Sequence, residues 1–158
     1  MAGGGGPANA PGAASPAGRP AAAAVVVVGG ANVDLQATGR RPLGAGDSTP
    51  GQVATRAGGV GRNIAERLAR QGLAVRLVSA LGDDADGHWL RRHGEAAGID
   101  MGGCRLLPGA ATARYVSLHQ PDGELLAAVN DMAVLDRLDA AALAAAAGAL
   151  RAARVLVL

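Results

Sequence analysis

Two glycine pairs constrain this chain more than anything else in it: Gly29-Gly30-Ala31-Asn32-Val33-Asp34 and, further along, Gly58-Gly59-Val60-Gly61-Arg62-Asn63-Ile64-Ala65. The first follows Val25 to Val28, a continuous β-branched run that fits a strand buried on both faces of a parallel sheet. The second opens a stretch in which Val60, Ile64 and Leu68 recur every four residues, with Arg62, Glu66 and Arg70 equally spaced on what the pattern makes the polar side. An amphipathic helix is expected there, closed by Gly72. One glycine pair leaves a strand, the other enters a helix, and each is trailed by short polar side chains. Both can therefore present bare backbone and amide groups to one ligand. The pairing points to a pocket for a polyhydroxylated small molecule.

The remaining pattern alternates strand and helix. Val75 to Leu81 reads as a second inner strand. Gly82-Asp83-Asp84 reads as a turn whose aspartates cap a helix from about Ala85 to Ala97, ended by Gly98. That grammar is the one of a doubly wound, mostly parallel α/β sheet. Short strands are expected within 35–56, at Leu35 to Thr38 and Gln52 to Arg56. Within 112–129, Thr112 to Leu118 and Glu124 to Val129 form a hairpin around Pro121-Asp122-Gly123, an added flap. An alanine-rich helix from about Asp139 to Ala152 leads into Val155 to Leu158, which reads as an inner strand. A buried parallel strand in that position implies the front half of a longer domain. Residues 1–23, almost all Gly, Ala and Pro, are expected to be a disordered leader, leaving 24–158 as the folded part.

Composition removes several chemistries. The fifteen basic residues are all arginine and are scattered, and the formal charge is +2. This describes a solvated surface rather than a nucleic-acid footprint, which needs a patch or stripe. Without lysine there can be no Gly-Lys-Ser/Thr phosphate loop and no Schiff-base enzyme. Cys104 stands alone, so an internal disulfide and a Cys-based zinc site are both excluded, and a reducing, cytoplasmic setting is the simplest expectation. The leader lacks acidic residues, which leaves organelle targeting as the alternative, although one arginine makes a poor transit helix. His88, His93 and His119 show no metal-like spacing, so no metal site is expected and surface or packing roles are. No apolar stretch approaches the length of a membrane span. Gly59-Val60-Gly61-Arg62-Asn63-Ile64 half-fits a dinucleotide fingerprint, but Ile64 stands where the third glycine belongs. Asp83, Asp84 and Asp86 lack the register of a calcium loop.

Taken in order, the two glycine motifs, then Ser79-Ala80-Leu81-Gly82-Asp83-Asp84 with Gly87, then Thr112 and the Asp122-Gly123-Glu124 hairpin resemble the N-terminal half of a ribokinase-like (pfkB-type) sugar kinase. The likeness runs from about Val25 to Leu158. Within that family, Val60-Gly61-Arg62-Asn63-Ile64-Ala65, Tyr115-Val116-Ser117-Leu118 and Asn130-Asp131-Met132 are most similar to the pseudouridine kinases. The resemblance implies a ribokinase-like sheet with a small β lid. Asp34 would accept hydrogen bonds from two ribose hydroxyls, and Asn63 would both donate and accept. Gly58 and Gly59 would let main-chain amides reach the sugar, and Asn32 would shape the turn beside the ligand. Tyr115 and Ser117 would share the lid face over the nucleoside, with Tyr115 either lying against the base or filling the lid.

No catalytic residue is expected within this chain. By the same resemblance the aspartate base, the anion hole and most of the ATP and Mg²⁺ site, with a monovalent cation as a further option, lie beyond Leu158. Gly44-Ala45-Gly46-Asp47 matches the tetrapeptide that carries the family's catalytic aspartate. It comes too early and precedes no helical pattern, so Asp47 is read as a loop residue. Val60 replaces the lysine of ribokinases proper, which argues against free ribose. The implied reaction passes the ATP γ-phosphate to the 5′-hydroxyl of a nucleoside or sugar, pseudouridine foremost. The alternatives are another ribosyl substrate, such as ribose or adenosine, and a noncatalytic fragment that binds nucleoside or pairs with another chain. Open lid edges invite strand pairing, so a homodimer through the lid is the macromolecular partner expected, with neither nucleic acid nor membrane.

Overall fold

The structure, a computed structural model, describes residues 23–158, so the expected leader lies outside the described residues up to position 22. Strand β1 (Val25–Val28) is the centre of an all-parallel sheet in the order β5-β4-β1-β8, with β4 at Val75–Gly82, β5 at Ile99–Leu107 and β8 at Val155–Val157. Val26 and Val27 are fully buried, as a β-branched run between two parallel neighbours should be. Each such side chain contributes roughly 1.5–3 kcal/mol of burial free energy. From β1 the chain winds outward through β4 and β5, then returns to the other side of β1 as β8. The strand order therefore reverses beside β1, and in open parallel sheets the crevice at the carboxyl ends of the strands at such a switch point is where ligands bind. Gly29 and Gly30 leave β1 at that end.

A second sheet, in the order β3-β2-β6-β7, forms the lid. Strand β2 (Asn32–Gly39) is antiparallel to β3 (Gly51–Gly58) and parallel to β6 (Arg114–His119), which is antiparallel to β7 (Leu125–Asp131). The lid strands are longer than the pattern implied: β2 and β3 run inward as far as Asn32 and Gly58, so the polar residues of both glycine motifs are partly strand residues. The outer half of this sheet is thinly covered, and every residue of β7 is exposed. Helices α1 (Val60–Arg70) and α2 (Ala85–Ala96) pack on the parallel sheet, joining Ala65 and Leu90 to a core with Val25, Val27, Leu77 and Met101. A 3-10 helix (Ala133–Arg137) packs Val134 with Ala80 of β4 and Ala113 ahead of β6 in a second cluster. No helix among the described residues is long and apolar enough to cross a membrane.

Besides β8, which lies at the edge of the described sheet with Val155 and Leu156 exposed rather than as an inner strand, three features differ from the sequence reading. Strand β5 lies where no strand was expected, because Asp100, Gly102 and Gly103 break up its apolar pattern. The pairing compensates: Arg76 binds Asp100 at 2.6 Å, and past a register shift between Arg76 and Val78 the backbones lie so close that a Cβ on Gly103 would sit 2.5 Å from the Leu77 carbonyl oxygen. The alanine-rich helix is two short ones, α3 (Ala140–Ala145) and α4 (Ala147–Ala152), interrupted at Ala146. Its helix propensity is high, but only Ala142 is buried, and packing is what holds a helix straight. The third difference is the face that α1 buries. Gly61, Arg62 and Ala65 are buried, whereas Val60 is 76% exposed. Ile64 and Leu68 still pack against the core, but Gly61 and Ala65 let the helix backbone approach β1 closely, which turns Val60 out and buries Arg62 beside them.

Candidate functional site

The two glycine motifs meet backbone to backbone. The amide of Arg62 donates to the carbonyl of Gly30 at 3.1 Å, and a Cβ on Gly61 would sit 2.8 Å from Gly29 Cα. Gly59 caps α1 with φ of 96°, and a side chain there would strike the main chain of Gly30 and Ala31. The start of α1 is thereby pinned to the loop leaving β1. In strand register, Asn32 lies opposite Gly58 and Asp34 opposite Arg56, with Tyr115 beside Asp34 on the other flank. Directly paired residues share a face, so Asn32, Asp34, Gln36, Gly58, Arg56, Tyr115 and Ser117 all lie on one side of the lid sheet.

Asp34 is the centre of that face. Its Oδ1 accepts from Asn32 Nδ2 at 2.5 Å, and its carboxylate lies against Gly58, where a Cβ would come within 2.6 Å of Asp34 Cγ. One carboxylate oxygen is thus held by the protein, and the other retains its acceptor capacity. Ser117 is buried and hydrogen-bonded to His119 at 3.0 Å, while Tyr115 is half-buried next to Asp34. Further out, Gln36, Thr38, Gln52, Ala54 and Arg56 line an open hollow of about 420 Å³ on the same face. Sequence reasoning passed over Gln36 and Arg56. Their signal was the period-two alternation with Asp34 and Gly58, visible only once the strands were extended inward.

Asn63 lies in the first turn of α1, and its backbone amide donates to Gly59 at 2.9 Å. Its side chain is exposed, and Oδ1 accepts from Arg62 Nη1 at 2.8 Å. The oxygen already holds one of the two bonds it can accept, and Nδ2 remains to donate. The same Arg62 Nη1 donates to the carbonyl of Ala57 at 2.9 Å, next to Gly58, so Asn63 and Asp34 are both tied to the inner end of β3. Arg62 also binds Glu66. Burial raises the Glu66 carboxyl, but the Arg62 charge and the bonds from Arg70 and Arg62 outweigh it and hold Glu66 below the usual carboxylate range.

A separate clasp fixes the root of the lid. Asp84 caps α2 by accepting from the Gly87 amide at 2.8 Å, and it also takes the Thr112 hydroxyl at 2.6 Å and the Thr112 amide at 2.9 Å. Burial raises the Asp84 carboxyl, while these bonds and the nearby Arg114 charge more than reverse that shift and lower it. Arg114, the first residue of β6, binds Asp86 at 2.6 Å. Asp83 takes no cap and instead pairs with His88 at 2.8 Å. Asp47 sits in an exposed loop between β2 and β3, paired with Arg41 at 2.9 Å and followed by no helix. Among the described residues, no three His, Cys, Asp or Glu side chains converge as a metal site.

Residues 22–158 match the model of the pfkB family of carbohydrate kinases. The pseudouridine kinase of Escherichia coli (strain K12) is 38% identical over 133 residues, which is 84% of this chain and 42% of that protein. An ATP-dependent ribose-1-phosphate kinase of Halopiger xanaduensis is 36% identical over 74 residues, 47% of this chain and 25% of the relative. Among solved structures, a carbohydrate kinase from Agrobacterium tumefaciens superposes with a TM-score of 0.74 at 28% identity, covering 84% of this chain and 43% of that one. The chain spans less than half the length of each of these relatives.

Proposed function

This chain belongs to the pfkB family of carbohydrate kinases, and from that premise we propose that it grips the ribosyl group of a nucleoside, pseudouridine foremost, as the phosphoryl acceptor. The observation that carries the reading is the Asp34 carboxylate lying on the bare backbone of Gly58, with one oxygen held by Asn32. A carboxylate accepts and never donates, so it selects hydroxyls, and glycine lets a sugar approach the main chain. Losing a substrate hydroxyl would strand that half-buried acceptor beneath the bound ligand, which is how such sites discriminate by large factors. Tyr115 beside Asp34 would face the base, and Asn63 Nδ2 would donate to a sugar oxygen. The donor in this proposal is ATP with Mg²⁺. Among the described residues no three His, Cys, Asp or Glu side chains converge to hold a metal, and the residues named here act in binding and orienting the alcohol.

Calorimetric titration of this chain with pseudouridine, uridine, adenosine and ribose tests the acceptor site, and a coupled ATPase assay on this chain and on any longer form tests the reaction. Preference for pseudouridine, with turnover by the longer form, is the expected result. Failure of every ribosyl compound to bind, or turnover of ATP with none of them, would remove the proposal. A second reading rests on Arg56, a cation on the Asp34 face with no ion pair among the described residues. It favours an anionic substituent on the ribose, as in ribose 1-phosphate. That reading requires ribose 1-phosphate to bind more tightly than pseudouridine, and Arg56→Gln to reverse the order. The lid has a further place in the proposal, as the pairing surface for a second copy: Val53, Val116, Leu118 and Val129 leave its other face apolar and exposed.

A further inference from the structure

Arg62 is 3% exposed, yet the periodicity of α1 places it on the solvent side. Burying an arginine is costly unless its charge is paired and its N–H groups are bonded. Here the guanidinium is shared among Glu66, the carbonyl of Ala57 at 2.9 Å, Asn63 Oδ1 at 2.8 Å and His93 Nδ1 at 3.2 Å, and Nε is buried with no partner among the described residues. Two of these partners, the Ala57 carbonyl next to Gly58 and the Asn63 amide oxygen, are uncharged groups. A purely structural charge pair would need only Glu66, which Arg70 also holds at 2.6 Å.

We infer that Arg62 is a positioning residue, which sets the orientation of the Asn63 amide toward the ligand and ties it to the end of β3. Arginine can only donate, so the Asn63 atom that meets it is the oxygen, and the Nδ2 donors of this exposed side chain are left for a ligand. A sugar hydroxyl can then give its proton to the free oxygen of Asp34 while its own oxygen accepts from Asn63 Nδ2. Those two roles are complementary only with the amide in this orientation. Because Nη1 also holds the Ala57 carbonyl, the amide and the Gly58 floor keep one spacing. Lysine cannot do this, since a single ammonium with three donors lacks the planar fork that reaches all four partners at once.

This inference rests on the sugar-site reading, and a double-mutant cycle separates the two. Binding of pseudouridine to this chain is measured by calorimetry for Arg62→Lys, Asn63→Ala and the pair, with thermal unfolding of each variant alongside. Arg62→Lys and Asn63→Ala are each expected to weaken binding about tenfold or more. The double variant is expected to lose no more than Asn63→Ala alone. Losses that multiply would show Arg62 acting independently of Asn63 and overturn the inference while leaving the sugar site intact. Unchanged binding by Asn63→Ala would overturn the sugar-site reading and this inference with it. If Arg62→Lys does not fold, Glu66→Gln is the substitute. It loosens the guanidinium, and its smaller loss should vanish in the Asn63→Ala background; persistence of that loss there would equally overturn the inference.

Discussion

Gly58 has no side chain because the Asp34 carboxylate occupies the space one would need. Gly58→Ala would place a Cβ within 2.6 Å of Asp34 Cγ, so the carboxylate must swing off its bond to Asn32. The expected outcome is loss of nucleoside binding by well over tenfold with the fold retained, read by calorimetry and circular dichroism. Asp34→Ala should cost at least as much, since it removes the acceptor itself. Cys104 gives a contrasting prediction. Burial comes first among the influences that push its thiol up to about 12, so it stays protonated at pH 8. Thiol reagents should label it only as fast as the protein unfolds, and rapid labelling of the native chain would contradict its burial in β5 alongside β4.

At the scale of elements, the clasp between α2 and the lid matters most. Asp84 accepts three hydrogen bonds, two of them from Thr112, which also receives the Gly82 amide at 3.0 Å. Asp84→Ala removes a helix cap and leaves Thr112 unsatisfied, an expected cost of about 2–3 kcal/mol in urea unfolding. The pH dependence has a definite sign. Asp84 titrates below its ordinary 3.8 and Glu66 below 4.5 in the folded chain, so the unfolded chain binds those protons more tightly. Their stabilisation is complete above those ordinary values and is lost as pH falls through the lowered ones. Stability should therefore drop between pH 5 and about 2, and Asp84→Asn should flatten that drop while Glu66 keeps part of it. The two aspartates at the turn were legible as cap candidates in the sequence. Only the approach of Thr112, 28 positions away, assigns the cap to Asp84.

For the whole molecule, the lid presents one face to the candidate site and leaves the other bare. Val53 and Val129 are 71% and 72% exposed on that outer face, on strands flanking β2 and β6. If a second copy covers it, sedimentation should show a concentration-dependent dimer that Val53→Asp and Val129→Asp convert to monomer. A monomer at all concentrations would leave the face unpaired. Much of the architecture was readable from local chemistry: a β-branched run makes an inner strand, a glycine ends a helix, and Pro121-Asp122-Gly123 turns a hairpin. These depend on neighbours in the chain, so the amino-acid sequence by itself determined them, along with the order of elements and both glycine motifs. Tertiary structure decided what depends on distant partners. Arg62 is buried because Gly61 and Ala65 let α1 descend onto β1, β5 exists because β4 pairs with it, and the Asn63 amide takes its direction from a guanidinium bound to another strand. Periodicity records which side chains share a face, but the depth to which that face sinks is set by the backbone it meets.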